Sequence, residues 1–315
     1  MYYESVAPLT SAITDNIGKV IFDKNKQIKY ILTALLCKGH VLLDDIPGTG
    51  KTSLAKALAK SISVDCKRIQ FTPDLLPSDI TGINYYNQKM NEFIFREGPL
   101  FTNIVIADEI NRTTPRTQSA LLECMEEFQT TIDGVTHKLD QPFFVIATQN
   151  PIESQGTFPL PEAQIDRFFM KLSLSYPDKS SELRMMNEYV KVSPLESLTA
   201  VADKATVLNA MNAVTNIMIS DPIKNYIVDI VTETRDSDRT RLGVSPRGTL
   251  ALMKASQAYA AIEGRDFVVP DDVKAVSVPV LAHRIISRSQ NTIRITESNE
   301  NIIEYIIDKV PAPIK

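Results

Sequence analysis

Short apolar runs alternate with longer mixed segments along the first half of the chain. "HVLLDD" (40–45), "NIVIAD" (103–108) and "FFVIAT" (143–148) each carry an unbroken apolar stretch that ends in polar residues. Runs of this length suit strands buried within a sheet. A further apolar strand is expected in "FFMKLSL" (168–174), directly after "LPEAQIDR". Behind the first run, Leu54, Ala55, Leu58 and Ala59 recur at helical spacing, with Lys56 and Lys60 between them. That pattern predicts a helix with one apolar face. "TTPRTQSALLECMEEF" (113–128) predicts another, with Thr114 as N-cap and Pro115 at the first position. Leu121, Leu122, Met125 and Phe128 form its core-facing stripe.

Two segments read as hairpins. "GINYYNQKMNEFIFREG" (82–98) holds two β-rich runs around a polar centre, and "TTIDGVTHKL" (130–139) turns at Asp133–Gly134. The pattern changes at Tyr176–Ser180, within "SYPDKSSE". Beyond it, "TVLNAMNAVTNIM", "PIKNYIVDIVTET", "PRGTLALMKASQAYAAIEG" and "PDDVKAVSVPVLAHRII" each carry a helix-like stripe. Asp221–Pro222 and Pro270–Asp271 mark helix starts. The expected division is an αβα unit over 1–177 and a helical unit over 178–315.

Composition narrows the classes little. A 43% hydrophobic and 23% charged content over 315 residues is an ordinary globular mixture. The net charge of −4 weighs against a dedicated nucleic-acid binder. Cys37, Cys66 and Cys124 are widely spaced, as are His40, His137 and His283, so neither a disulfide framework nor a zinc site is expected. The N-terminus lacks the pattern of a signal peptide, and no apolar run nears the roughly 18 residues of a membrane span. A soluble cytoplasmic protein with no membrane insertion is expected.

The candidate chemistry lies at the ends of the apolar runs. After the first comes "DDIPGTGKTS" (44–53), a phosphate-binding loop in which Asp45 stands where the first glycine of G-x-x-x-x-G-K-[ST] belongs. Strand, glycine turn and helix nevertheless follow in order. Gly48 and Gly50 can take the positive φ that turns N–H groups toward phosphate, and the helix start adds its dipole. Lys51 would reach the β- and γ-phosphates and Thr52 would offer its hydroxyl to Mg²⁺, with Pro47, Thr49 and Ser53 completing the loop. Asp108 and Glu109 close the second run, where ligands gather in open α/β sheets. Asp108 would hold Mg²⁺ through water and Glu109 would polarise an attacking water. Asn150 follows the third run, positioned either to orient that water or simply to form a turn before Pro151. Arg167 precedes the last strand. Arg247 lies in the first turn of a helix capped by Ser245, where a cation opposes the dipole unless an anion is near.

Together, "DDIPGTGKT", "IVIADEINR", "LLECMEE", "ATQNPIESQGTFPLPEAQIDRF" and "VSPRG" resemble the MoxR group of AAA+ ATPases over nearly the whole chain. The resemblance implies an α/β P-loop core with a five-stranded parallel sheet flanked by helices, plus a C-terminal all-helical lid. It implies ATP and Mg²⁺ as ligands and assembly into a ring, commonly a hexamer. Glu109, Asn150, Arg167 and Arg247 then match the catalytic acid, a sensor, the arginine finger reaching a neighbouring subunit, and the lid's sensor arginine. Val20 and Ile21 would pack on adenine, although "VIFDK" departs from the Val-Ile-Val-Gly-Gln stretch common in the group. The hairpins correspond to inserts facing the ring's pore, or else decorate the surface. Arg112 and Arg116 are further candidates for contact across subunits, with ordinary surface charge as the alternative. Partners with a von Willebrand factor A domain, or other client proteins, are implied. The alternative is a nucleic-acid translocase, which shares the inserts but would want the basic stripe this chain lacks. A non-hydrolysing nucleotide-binding scaffold is a third reading, opposed by the intact Glu109, Asn150 and Arg167.

Overall fold

A computed structural model describes residues 5–44, 46, 48–150, 156–189, 193–288 and 297–313. The chain opens with helices α1 (Val6–Ile17) and α2 (Asn25–Leu36), then enters β1 (Val41–Asp44) and α3 (Lys51–Ser61). Strand β2 (Cys66–Gln70) and the short α4 (Pro77–Thr81) precede the first hairpin, β3 (Gly82–Asn87) with β4 (Glu92–Glu97). Next come β5 (Ile104–Asp108), α5 (Pro115–Glu127) and the second hairpin, β6 (Gln129–Ile132) with β7 (Val135–Lys138). Strand β8 (Phe144–Gln149), α6 (Glu162–Ile165) and β9 (Met170–Leu172) end this half.

Five of these strands form one parallel sheet in the order β2-β5-β8-β1-β9. Strands β1, β5 and β8 are buried up to their last residue, which is half-exposed in each case. Alternation sends Val41, Leu43, Ile104, Ile106, Phe144 and Ile146 into one core and Leu42, Val105, Ala107, Val145 and Ala147 into another. Helix α5 covers the second face with the expected Leu121, Leu122 and Met125; Phe128, in the left-handed C-cap position, packs at its margin. Thr114 does precede Pro115, but its hydroxyl accepts no N–H from the helix. At the Asp133–Gly134 turn both residues have positive φ, as the tight hairpin turn demands.

The second half contains α7 (Lys179–Glu188), α8 (Pro194–Ser197), α9 (Lys204–Val214), α10 (Asp221–Asp236), α11 (Pro246–Ile262), α12 (Pro270–Leu281) and α13 (Asn299–Lys309). It is not helical throughout: β10 (Thr240–Leu242) pairs antiparallel with β11 (Ile286–Ser287). Its apolar side chains join the same core as α1, α2 and α3, so the lid packs continuously with one face of the sheet.

Two buried polar residues fix this architecture. His40, just ahead of β1, accepts the Val145 N–H at Nδ1 (3.0 Å) and donates from Nε2 to the Met125 carbonyl (2.8 Å). Burial pushes its imidazole down to about 4, so it is neutral. Arg284 reaches from the turn after α12 to the segment entering β9. Its guanidinium donates to the Asp166 carboxylate (2.8 Å) and to the carbonyls of Asp166, Phe168, Phe169 and Val280. Burial pulls the guanidinium down to about 10, and the Asp166 charge works against that shift.

Candidate functional site

Because β1, β5 and β8 are neighbours in register, their C-terminal ends bring three distant sequence segments together. A cavity of about 510 Å³ opens there, walled by the loop after β1, the acids after β5 and the segment after β8. Gly48 (φ 86°) and Gly50 (φ 87°) take the left-handed conformation open to glycine, and no atom lies within 4 Å of where a Cβ would stand on Gly48. Gly50 is also the N-cap of α3. Lys51, Thr52 and Ser53 line the cavity from that helix's first turn. Lys51 Nζ donates to the Ile46 carbonyl at 3.1 Å, as does the Thr49 hydroxyl at 3.4 Å. Pro47 and Asp45 lie outside the described residues. Backbone donors, a lysine and a hydroxyl converging on one hollow form a donor set suited to polyphosphate.

Opposite the loop, Asp108 accepts the Thr148 hydroxyl on Oδ1 (2.6 Å) and both Nε (3.0 Å) and Nη2 (2.6 Å) of Arg68 on Oδ2. Glu109 has φ 58° and ψ 52°, a left-handed backbone rare for a non-glycine residue. Its N–H donates to Thr148 Oγ1 (2.9 Å), and its Oε2 accepts from Gln70 (2.8 Å) and pairs with Arg112 Nε (3.1 Å). Asn150 is buried and lines the same cavity. A hard carboxylate facing a threonine hydroxyl across a phosphate-binding loop fits a magnesium ion, since both offer oxygen. Of the two residues expected to meet the base, Ile21 reaches the loop: its Cδ1 would lie 3.5 Å from a Cβ on Gly50. Val20 and Ile21 are both buried in the core that includes α3.

The two remaining arginines stand elsewhere. Arg167 and Arg247 line a separate hollow with Glu126, Asp166 and Leu250. Glu126 holds both, through Oε2 to Arg167 Nε (3.4 Å) and through Oε1 to Arg247 Nη2. Ser245 caps α11, as expected, and its hydroxyl also bonds Asp166 (3.2 Å), so the start of the Arg247 helix is tied to the Arg167 segment.

A model of the ATPase family associated with various cellular activities (AAA) matches residues 40–170, and one of the AAA lid domain matches 232–306. Chaperone MoxR1 of Mycobacterium tuberculosis is 35% identical over 94% of the chain and 80% of its own length. This chain belongs to the MoxR family of AAA+ ATPases. Protein MoxR of Paracoccus denitrificans is 31% identical over 85% of the chain and 86% of its own. The uncharacterized protein YeaC of Bacillus subtilis is 49% identical over 100% and 98%. A solved structure from Cytophaga hutchinsonii, described as a candidate ATPase, superposes with a TM-score of 0.90 at 40% identity, covering 99% of this chain and 96% of that one.

Family membership brings nucleotide binding with it and accounts for the loop and acids. It leaves Arg68, Gln70, Thr148 and Glu126 to be found in the structure. Local sequence does not disclose their contacts, because each acquires its partner from a strand or helix far away in the chain. Arg112, a candidate for contact across subunits or else an ordinary surface charge, pairs within its own protomer with Glu109. Among the described residues no helix is long and apolar enough to cross a membrane.

Proposed function

We propose that this MoxR-family protein hydrolyses ATP to ADP and phosphate with Mg²⁺, at sites shared between neighbouring copies in a ring, and uses the cycle to remodel client proteins. One observation carries the shared site: the cavity that holds Lys51, Asp108 and Glu109 is lined by neither Arg167 nor Arg247, which lie together in a different hollow. In this reading the N–H groups of Gly48, Thr49 and Gly50 and the start of α3 cradle the phosphates. Lys51 offsets their charge, while Thr52 and Asp108 hold the metal. A magnesium ion held there would supply positive charge to the phosphates. Glu109 polarises the attacking water, and Asn150 orients it. Arg167 and Arg247 of the adjoining copy meet the charge that develops on the transferred phosphoryl group.

The lid is taken to begin at 178, where Asp178 caps α7 through the Ser181 N–H. The name of the mycobacterial relative supports a chaperone-like role and gives none to a translocase. The family resemblance adds von Willebrand factor A proteins as candidate clients. Arg167→Ala tests the shared site. Binding of a fluorescent nucleotide should be unchanged, while steady-state phosphate release falls by about 10³-fold, the usual worth of such an arginine. Unaltered turnover in that variant overturns the reading.

A further inference from the structure

Arg68 sits inside the phosphate-binding cavity on strand β2, outside the segments quoted above for the family resemblance. It projects from β2, where Arg68 pairs in register with Ile106 and Gln70 with Asp108. Two of its N–H groups converge on one oxygen of Asp108, and the Thr148 hydroxyl takes the other. Both oxygens of the expected metal-holding acid therefore already have protein donors. Nη2 also donates to Gln70 Oε1 (2.6 Å), whose amide holds Glu109 (2.8 Å). A single side-chain chain thus runs from Asp108 through Arg68 and Gln70 to Glu109 and Arg112.

A surface strut would be the plain account of such an ion pair, but the placement argues for more. The backbone of Arg68 is locked in the sheet while nearly half of its side chain is exposed, so its guanidinium can leave Asp108 without disturbing the fold. A cation a few ångströms from a carboxylate opposes any second cation that seeks it.

We infer that Arg68 is the resident counter-cation of Asp108, competing directly with the divalent metal and so making metal binding depend on phosphates that give Arg68 another acceptor. This rests on the reading of Asp108 as the metal-holding acid. The partly exposed carboxylate thus has a cationic partner in either state, before and after the metal arrives.

The test is metal–nucleotide linkage in the full-length protein: the affinity for a fluorescent ADP analogue with and without saturating Mn²⁺, in wild type, Arg68→Gln and Asp108→Asn. In Arg68→Gln the strengthening by Mn²⁺ should shrink by about tenfold or more, because the metal then meets an uncontested Asp108 with or without phosphate. About tenfold is a lower bound for one unit charge at contact distance near a protein surface. Its melting temperature should stay within about two degrees, as an exposed pair stabilises little. In an Asp108→Asn background, Arg68→Gln should no longer alter the linkage. An unchanged or larger Mn²⁺ effect in Arg68→Gln overturns the inference, and if affinity drops equally with and without the metal, Arg68 is a phosphate ligand instead. If Asp108→Asn alone leaves the wild-type Mn²⁺ effect intact, the metal role of Asp108 fails, a different result from failure of the Arg68 competition.

Discussion

Glu109 shows most directly how this fold spends stability on a site. A left-handed backbone costs a non-glycine residue about 1 kcal/mol or more. Here it is held by the Thr148 hydroxyl behind the N–H and by Gln70 and Arg112 on the carboxylate. Glycine or asparagine would sit there more easily, so the carboxylate itself is what the position retains. Glu109→Asn should therefore melt no lower than wild type, since asparagine tolerates this region well. Its turnover should nevertheless fall by about 10²-fold or more, the scale of a lost general base. Thermal unfolding and phosphate release measured on one preparation check both halves. Persistent turnover would remove Glu109 from the chemistry, and a large drop in melting temperature would make its conformation a packing matter.

At the scale of elements, the junction of β1, β8 and α5 depends on a neutral imidazole. The ordinary value of 6.5 for histidine falls to about 4 at His40, because burial disfavours the charged form. Between those values the unfolded chain binds a proton that the native chain refuses. Stability contributed at this junction is thus complete above pH 6.5 and declines as the pH drops toward 4, by about 1.4 kcal/mol per unit. Urea midpoints at pH 7 and pH 5 should differ accordingly, and His40→Gln should flatten the slope. The same junction explains what could be read beforehand. Strands β1, β5 and β8 are buried on both faces, so they are apolar throughout and stand out in the sequence. Edge strand β2, "CKRIQ", buries only Ile69 and so carries no apolar run to mark it. Its Arg68 and Gln70 gain meaning only from pairing with β5, a register that no local pattern encodes. Helix α1 does carry a stripe of Val6, Leu9, Ile13 and Ile17, a signal open to reading but remote from any motif. The glycine loop and the acids were legible because phosphate and metal chemistry dictates residue types at fixed spacing. The sharing of Glu126 by two arginines was not, for it arises where α5, the segment before β9 and α11 meet.

For the whole molecule, the decisive geometry is the separation of the phosphate-binding cavity from the paired arginines. One cavity offers Lys51, Asp108 and Glu109; the other hollow offers two guanidiniums held by a shared glutamate. Such unlike faces are self-complementary only head to tail, and a head-to-tail contact closes into a ring or propagates as a filament. In this reading, a protein defective on one face can be rescued by a protein defective on the other. Lys51→Ala should abolish nucleotide binding at its own cavity yet leave Arg167 to serve its neighbour. Arg167→Ala should bind nucleotide yet serve no neighbour. Each alone should be nearly inactive. Mixed in equal amounts with subunit exchange, about a quarter of the boundaries would place an intact cavity beside an intact Arg167. Phosphate release should recover to about that share of wild type, provided that neighbouring sites act independently, and it should fall on dilution as the assembly dissociates. A mixture no more active than its components, in assemblies shown to contain both, would place each arginine beside its own protomer's cavity and end the head-to-tail arrangement.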